Sequence, residues 1–138
     1  MLGVVYVFLG GGLGAVARYG LSAWLGGFSP ARKLLGELTP IGTLGVNLIG
    51  CLLIGLIGGA LVASETERPT ARLLLVVGVL GGFTTFSSFA FEIVDLVQQR
   101  RVGVALGYVL ASNVLGILAA AGGWGMASAL VGTTGGSR

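Results

Sequence analysis

The sequence predicts an all-α integral membrane protein, with four transmembrane helices in a single domain that covers residues 1–138. Charged residues make up only 9% of the chain, whereas soluble domains contain about a quarter. The apolar residues form four runs, each as long as the roughly 20 helical residues that cross a bilayer. These runs are continuous, unlike the alternating strands of a membrane β-barrel.

The first predicted span covers residues 3–27 and is interrupted by one charge, at Arg18. It is too long, and wrongly flanked, for a cleavable signal peptide. A loop at 28–39, which we expect to contain a short interfacial helix, leads to the second span at 41–63. The polar loop 64–70 follows, and its proline disfavours further helix.

The third predicted span covers residues 71–97 and is expected to be broken in mid-membrane at 81–85. Two adjacent glycines and two β-branched threonines disfavour a continuous helix there. The freed carbonyl groups must find partners inside protein, and broken helices at membrane depth commonly mark ion sites. The fourth span covers 103–131, and the single cysteine, Cys51, excludes an intrachain disulfide.

Basic residues in the short loops predict how a membrane protein is oriented. Here the two sides are nearly balanced, with Arg32, Lys33, Arg100 and Arg101 on one and Arg68, Arg72 and Arg138 on the other. We therefore expect copies that face both ways and form an antiparallel, dual-topology homodimer; alternatively, Arg18 or the lipid selects one orientation. Because the basic residues flank apolar runs, we expect lipid headgroups and not nucleic acid as their partners.

Glycines four residues apart occur in every predicted span and allow helices to approach closely. The pairs are Gly10 and Gly14, Gly55 and Gly59, Gly78 and Gly82, and Gly103 and Gly107.

Ionisable residues inside a span are candidates for function because lipid solvates charge poorly. Asp95 lies near a helix end and can reach water. Arg18 and Glu92 lie deeper. Arg18 either faces a water-filled vestibule, where its charge would concentrate an anion, or forms a structural salt bridge, for instance with Glu92.

Several polar side chains are spaced four apart and therefore share a helix face. Thr43 and Asn47 do so in the second span, and Tyr108 and Ser112 in the fourth, where Asn113 is adjacent. Such groups either line an ion path or join helices through hydrogen bonds.

The segment at 81–89 is the most unusual in the chain. Main-chain carbonyl oxygens at a helix break suit a hard monovalent cation better than a transition metal. Phe86 and Phe89 share a helix face with Ser87 and Ser88, and their rings either contact an ion or only pack.

Three motifs together resemble the Fluc (CrcB) family of fluoride channels. They are GGLGAVARY at 11–19, GTLGVN at 42–47 and GGFTTFSSFAFE at 81–92. Each is weak alone, but their order on three successive helices is specific. The resemblance extends from Gly10 to about Gly116.

This resemblance implies an antiparallel dimer with two pores, each built from both subunits, in the cell membrane. A structural sodium ion on the dimer axis would be held by the main-chain carbonyls of Gly81 and Thr84. The implied pore residues are Asn47, Phe86 and Phe89, and the implied polar path includes Ser87, Ser88, Tyr108 and Ser112. From its position on the same face as Asn47 we add Thr43 to this path, and we expect Arg18 and Glu92 at a vestibule. The family often has threonine where this chain has Ser88.

The implied function is passive export of fluoride from the cytoplasm, which lowers fluoride toxicity. Fluoride is strongly hydrated, so a pore must replace water with hydrogen-bond donors and the positive edges of aromatic rings. Hydrogen fluoride enters the cell neutral and ionises, so exit of the trapped anion needs no energy source. The sequence has no nucleotide loop or catalytic constellation, and we expect no enzyme activity.

Two other functions remain possible from the residues. A dual-topology small multidrug exporter is also a four-helix dimer, but it needs a membrane acid in its first helix, where this chain has Arg18. A non-transporting assembly subunit would use the same glycines, amides and rings only as contacts between helices.

Overall fold

The computed structural model describes residues 1–27, 40–63 and 69–135. In these ranges four apolar helices are long enough to cross a membrane, namely Leu2–Gly27, Ile41–Val62, Pro69–Gln98 and Val102–Val131. The predicted four-helix, multi-pass membrane architecture is thereby confirmed. The expected interfacial helix in loop 28–39 lies outside the described residues, as do four of the seven basic residues counted for orientation, namely Arg32, Lys33, Arg68 and Arg138.

Five helical elements make up these spans. The first two are α1 (Leu2–Gly27) and α2 (Ile41–Ala63). The third span contains α3, which joins the segments Pro69–Ala71, Arg72–Leu80 and Gly81–Phe83, and α4 (Phe86–Gln98); α5 (Val102–Gly135) is the fourth span. The middle segment of α3 is a nine-residue π-helix, longer than the single π turns usual in proteins.

α2 packs along α5 through glycines that bring the two backbones together. A Cβ atom at Gly55 would meet the carbonyl group of Ala120, and one at Gly123 would lie 2.9 Å from the backbone nitrogen of Leu56. Lipid supplies no hydrophobic drive for helix association, so close packing of this kind holds the spans together.

α1 packs against α3 in the same way. A Cβ atom at Gly10 would lie 2.9 Å from the Cα atom of Gly78, and one at Gly14 would lie 2.8 Å from the backbone nitrogen of Phe83. Gly103 and Gly107, the pair on α5, have no such neighbour within 4 Å in the described part of the chain.

α4 packs against α5 around a small buried cluster of Phe89, Leu96, Ala105 and Tyr108. A tight turn joins the two helices, with Arg100 in the left-handed region at φ 59°. Most large apolar side chains elsewhere are exposed, as expected for a protein whose surface faces lipid or another membrane helix.

Adjacent glycines on α5 provide a matched test of this packing. Gly123→Ala should push α5 away from the backbone of α2 and lower the free energy of unfolding by about 1–3 kcal/mol. Gly122→Ala adds the same methyl group where, among the described residues, no atom outside the local helix backbone lies within 4 Å, so it should be tolerated. Thermal unfolding of the two variants in detergent measures the difference. Equal midpoints would show that the α2–α5 contact is not close.

Candidate functional site

The candidate site is built around an interruption between α3 and α4. Thr84 (φ −83°, ψ 153°) and Thr85 (φ −145°, ψ 113°) are extended, whereas Gly81 and Gly82 are still helical. The β-branched side chains of Thr84 and Thr85 favour this extended backbone. The N–H and hydroxyl groups of Thr84 both donate to the carbonyl oxygen of Leu80, each at 3.0 Å, and so complete the last turn of α3.

Asn47 on α2 binds the backbone of Thr85 with both ends of its carboxamide. Its Nδ2 donates to the Thr85 carbonyl oxygen at 3.1 Å, and its Oδ1 accepts from the Thr85 N–H at 2.9 Å. A carboxamide carries a donor and an acceptor side by side, so it pairs with extended backbone as a neighbouring strand would. The second N–H of Asn47 has no partner among the described residues.

Gly50 allows α2 to lie this close. A Cβ atom there would collide with the methyl group of Thr84 and lie 3.4 Å from the ring of Phe83. Asn47 thus lies against Thr85 and Gly50 lies against Thr84. Nothing in the sequence around Asn47 or Gly50 predicts these two contacts.

The hydroxyl groups near the start of α4 form a cluster centred on Thr85. Its Oγ1 accepts from the N–H of Ser88 at 3.2 Å, which caps the helix. The same oxygen donates to Ser88 Oγ at 3.1 Å and lies 3.2 Å from Ser87 Oγ. The structure therefore brings both predicted serines together around a threonine that sequence reasoning had not assigned a role.

Glu92 joins three helices through two hydroxyl groups. Thr43 Oγ1 on α2 donates to Glu92 Oε1 at 2.5 Å, and the hydroxyl of Tyr108 on α5 donates to Oε2 at 2.8 Å. Thr43 and Tyr108 are buried. The salt bridge considered between Arg18 and Glu92 is not formed within the described residues; Arg18 instead donates from Nε to the carbonyl oxygen of Gly82 at 3.2 Å.

Three aromatic rings follow one another beside the interruption. The ring centroids of Phe86 and Phe89 are 5.7 Å apart, and those of Phe89 and Tyr108 are 5.0 Å apart in an edge-to-face arrangement. Phe89 is 9% exposed, whereas Phe86 is 78% exposed. The two phenylalanines thus differ: Phe89 is held by its neighbours, and Phe86 points out of the subunit.

A cavity of about 370 Å³ lies next to the interruption. Ser112 contributes an Oγ atom that is buried and has no hydrogen-bond partner among the described residues. Asn113 donates from Nδ2 to the carbonyl of Val109 in its own helix at 2.7 Å. The other predicted site residues that line the cavity are Asn47, Gly81, Thr84, Phe86 and Phe89.

Besides Ser87 and Ser88 around Thr85, and Arg18 at Gly82, the structure gathers the predicted residues into two groups. One lines the cavity and includes Asn47, Phe86, Phe89 and Ser112. In the other, Thr43 and Tyr108 converge on Glu92, and Phe89 touches both groups through its contact with Tyr108.

Comparison with known proteins identifies the family. The family model described as "CrcB-like protein, Camphor Resistance (CrcB)" matches residues 5–124, a range that contains all three motifs. The chain belongs to the CrcB family.

CrcB relatives resemble this chain over most of their length. A protein of Thermus thermophilus is 47% identical over 131 residues, which cover 91% of this chain and 94% of the relative. One of Anaeromyxobacter dehalogenans is 47% identical over 121 residues, covering 88% and 90%. One of Helicobacter acinonychis is 41% identical over 127 residues, covering 92% and 96%. Each of these CrcB relatives is named fluoride-specific ion channel FluC.

The pairing of Asn47 with Thr85 leads to a prediction about stability. Asn47→Asp keeps the acceptor for the Thr85 N–H but sets an oxygen against the Thr85 carbonyl. Leaving such a group unpaired costs about 1–3 kcal/mol, so the thermal midpoint should fall. Asn113→Asp is the control, because within the described part of the chain Asn113 is exposed and bonds to a carbonyl of its own helix. An equal effect of the two changes on thermal unfolding would contradict the proposed importance of the Asn47 pairing.

Proposed function

We propose that this protein is a fluoride-selective channel that exports fluoride passively from the cytoplasm. The observation that carries the proposal is its 41–47% identity, over nearly full length, to three relatives named fluoride-specific ion channel. Ion channels are not enzymes, in agreement with the expectation from the sequence. An efflux assay with purified protein in liposomes and a fluoride electrode tests the function directly.

The chemistry of the cavity supports an anion that has lost water. Asn47 retains one N–H, and the buried hydroxyl of Ser112 has no partner among the described residues. A buried polar group without a partner is unfavourable, so a ligand or a second subunit is expected there. Phe86 and Phe89 border the same space, and their ring edges carry partial positive charge.

Two predicted path residues are engaged elsewhere in this arrangement. Thr43 and Tyr108 direct their hydroxyl protons at Glu92, so a fluoride ion would have to compete with the carboxylate for them. A carboxylate without hydrogen-bond partners near an anion path is unfavourable, because it repels the anion. The hydroxyl groups of Thr43 and Tyr108 bind the Glu92 carboxylate and reduce this repulsion. We assign Glu92 to the vestibule on this basis, and the positive charge of Arg18 in the first span would attract anions.

An antiparallel homodimer, with two pores each built from both copies, would complete the site. In a lone subunit Phe86 and Asn113 are exposed at the cavity and the adjacent Ser87 is exposed too, and lipid is a poor partner for the polar ones. A second copy would cover them. In opposite orientation it supplies the symmetry that many transporters obtain from inverted repeats.

A structural sodium ion on the dimer axis fits the main chain at the interruption, which we place at mid-membrane depth. The carbonyls of Leu80 and Gly82 already accept hydrogen bonds, whereas Gly81 and Thr84 border the cavity. A Cβ atom at Gly81 would meet nothing closer than 3.8 Å among the described residues, so no other helix packs closely against the backbone at this position. Carbonyl oxygens from Gly81 and Thr84 of two copies would hold the ion and join the subunits.

Phe86 gives the sharpest test of the conduction path. Because it is 78% exposed, Phe86→Ile should leave the fold unchanged. Fluoride efflux from liposomes should nevertheless fall by orders of magnitude, since an aliphatic group has no positive edge and each 1.36 kcal/mol of barrier slows passage about tenfold. Phe91→Ile is the control, because Phe91 is similarly exposed but does not line the cavity. Normal efflux in Phe86→Ile would remove this ring from the path.

Dual topology predicts half labelling of a cysteine at a membrane end. Gln98 is exposed at the end of α4, so Gln98→Cys in a Cys51→Ser background should react with an impermeant maleimide. In sealed cells about half of the copies should be labelled, because half would present this end to the outside. Labelling of all copies in sealed cells would indicate a single orientation. So would labelling of no copies in sealed cells if all of them become labelled after lysis.

The sodium proposal predicts an ion-dependent dimer. Replacing sodium by a large organic cation should lower the thermal midpoint of the dimer, because a ligand stabilises the state that binds it. The shift should grow with sodium concentration at constant ionic strength. Identical midpoints in both media would argue against the site without affecting the fluoride proposal.

A further inference from the structure

Arg18 reaches from α1 to the end of α3. Its Nε donates to the carbonyl oxygen of Gly82, the residue before the last one of α3. The last carbonyls of a helix have no partner within the helix, and a positive charge there also complements the helix dipole. Thr84 already donates to the carbonyl oxygen of Leu80. Arg18 binds the carbonyl of Gly82, two residues further along α3.

The backbone of α1 is placed for this contact by small residues. A Cβ atom at Gly82 would collide with the backbone of Gly11, and one at Gly14 with that of Val79. Helical side chains lean toward the N-terminus of their helix, so Arg18 extends over the turn that contains Gly14. The guanidinium therefore meets α3 where the two backbones already touch.

Asn47 holds the other flank of the interruption from α2. Its carboxamide binds both backbone groups of Thr85, one residue after Thr84. The extended residues Thr84 and Thr85 are thus held from two sides. Arg18 of α1 binds Gly82, just before them, and Asn47 of α2 binds both backbone groups of Thr85.

We propose that Arg18 is a positioning residue, which fixes the end of α3 so that Thr84, Thr85 and the start of α4 adopt one conformation. Through this contact it sets where the ring of Phe86 and the hydroxyls of Ser87 and Ser88 lie. The role concerns backbone order and is independent of which ion passes. It differs from that of a vestibule charge, which acts on the anion through space and leaves the backbone unchanged.

Hydrogen–deuterium exchange of the full-length protein in nanodiscs separates the two roles. Arg18→Met removes both the charge and the N–H group that donates to Gly82, whereas Arg72→Met removes an equal charge from an exposed arginine at the start of the π-helix. Amides of Thr84, Thr85 and Ser88 should exchange about tenfold faster, or more, in Arg18→Met than in wild type, as expected for loss of a hydrogen bond to a charged group. Arg72→Met should match wild type.

The amides of residues 104–110 in α5 serve as an internal reference and should not change. Unchanged exchange at the interruption in Arg18→Met would overturn the proposal, even if fluoride efflux were lower, because a vestibule charge predicts that combination. Faster exchange throughout the chain would also overturn it, since the residue would then stabilise the whole fold. If Arg18→Met does not yield folded protein, Arg18→Lys is measured in its place. It keeps the charge but has no N–H at the position of Nε and no planar guanidinium, and local acceleration is again the expected result.

Discussion

Two residues of extended backbone, Thr84 and Thr85, impose the constraint on which the rest of the site depends. In a membrane, polar backbone groups that leave a helix must be satisfied by protein, because lipid offers no hydrogen bonds. Here Thr84 satisfies the end of α3 with its own N–H and hydroxyl, and Asn47 pairs with both groups of Thr85. The interruption is therefore held by specific partners on neighbouring helices.

Those partners are close enough because the helices have glycine where they meet. Gly50 leaves room for the methyl group of Thr84, and Gly14 lets α1 touch the end of α3. Close backbone contact replaces the hydrophobic drive that is missing in lipid. The many glycines in this chain thus have a second effect besides packing, since they bring short side chains such as Asn47 within reach of main-chain groups.

The hydrogen bonds also decide which donors remain for a passing anion in the proposed channel. Thr43 and Tyr108 are committed to Glu92, and Thr85 is committed to the serines that follow it. Ser112 keeps its hydroxyl free among the described residues, and Asn47 keeps one N–H. A dehydrated anion would therefore meet few direct donors at a time, and ring edges such as that of Phe86 would supply part of the compensation.

The sequence by itself determined the class of the protein, its four spans and its family. Hydropathy is a sum over residues that are neighbours in the chain, and each of the three motifs is an unbroken stretch of sequence. Both signals can therefore be recognised without knowing which helices are in contact. The spacing of Thr43 and Asn47 placed both on one face of α2, but their partners, Glu92 and Thr85, lie 49 and 38 residues further along the chain.

Only the tertiary structure decided those pairings. It placed the extended residues at Thr84 and Thr85 and left Gly81 and Gly82 helical, joined Arg18 to a carbonyl instead of Glu92, and separated a buried Phe89 from an exposed Phe86. The reason is that a hydrogen bond between helices depends on their relative rotation and height, and local sequence does not encode either. Glycine contacts at sites such as Gly14 and Gly50 set both quantities, and they act only once the helices have packed.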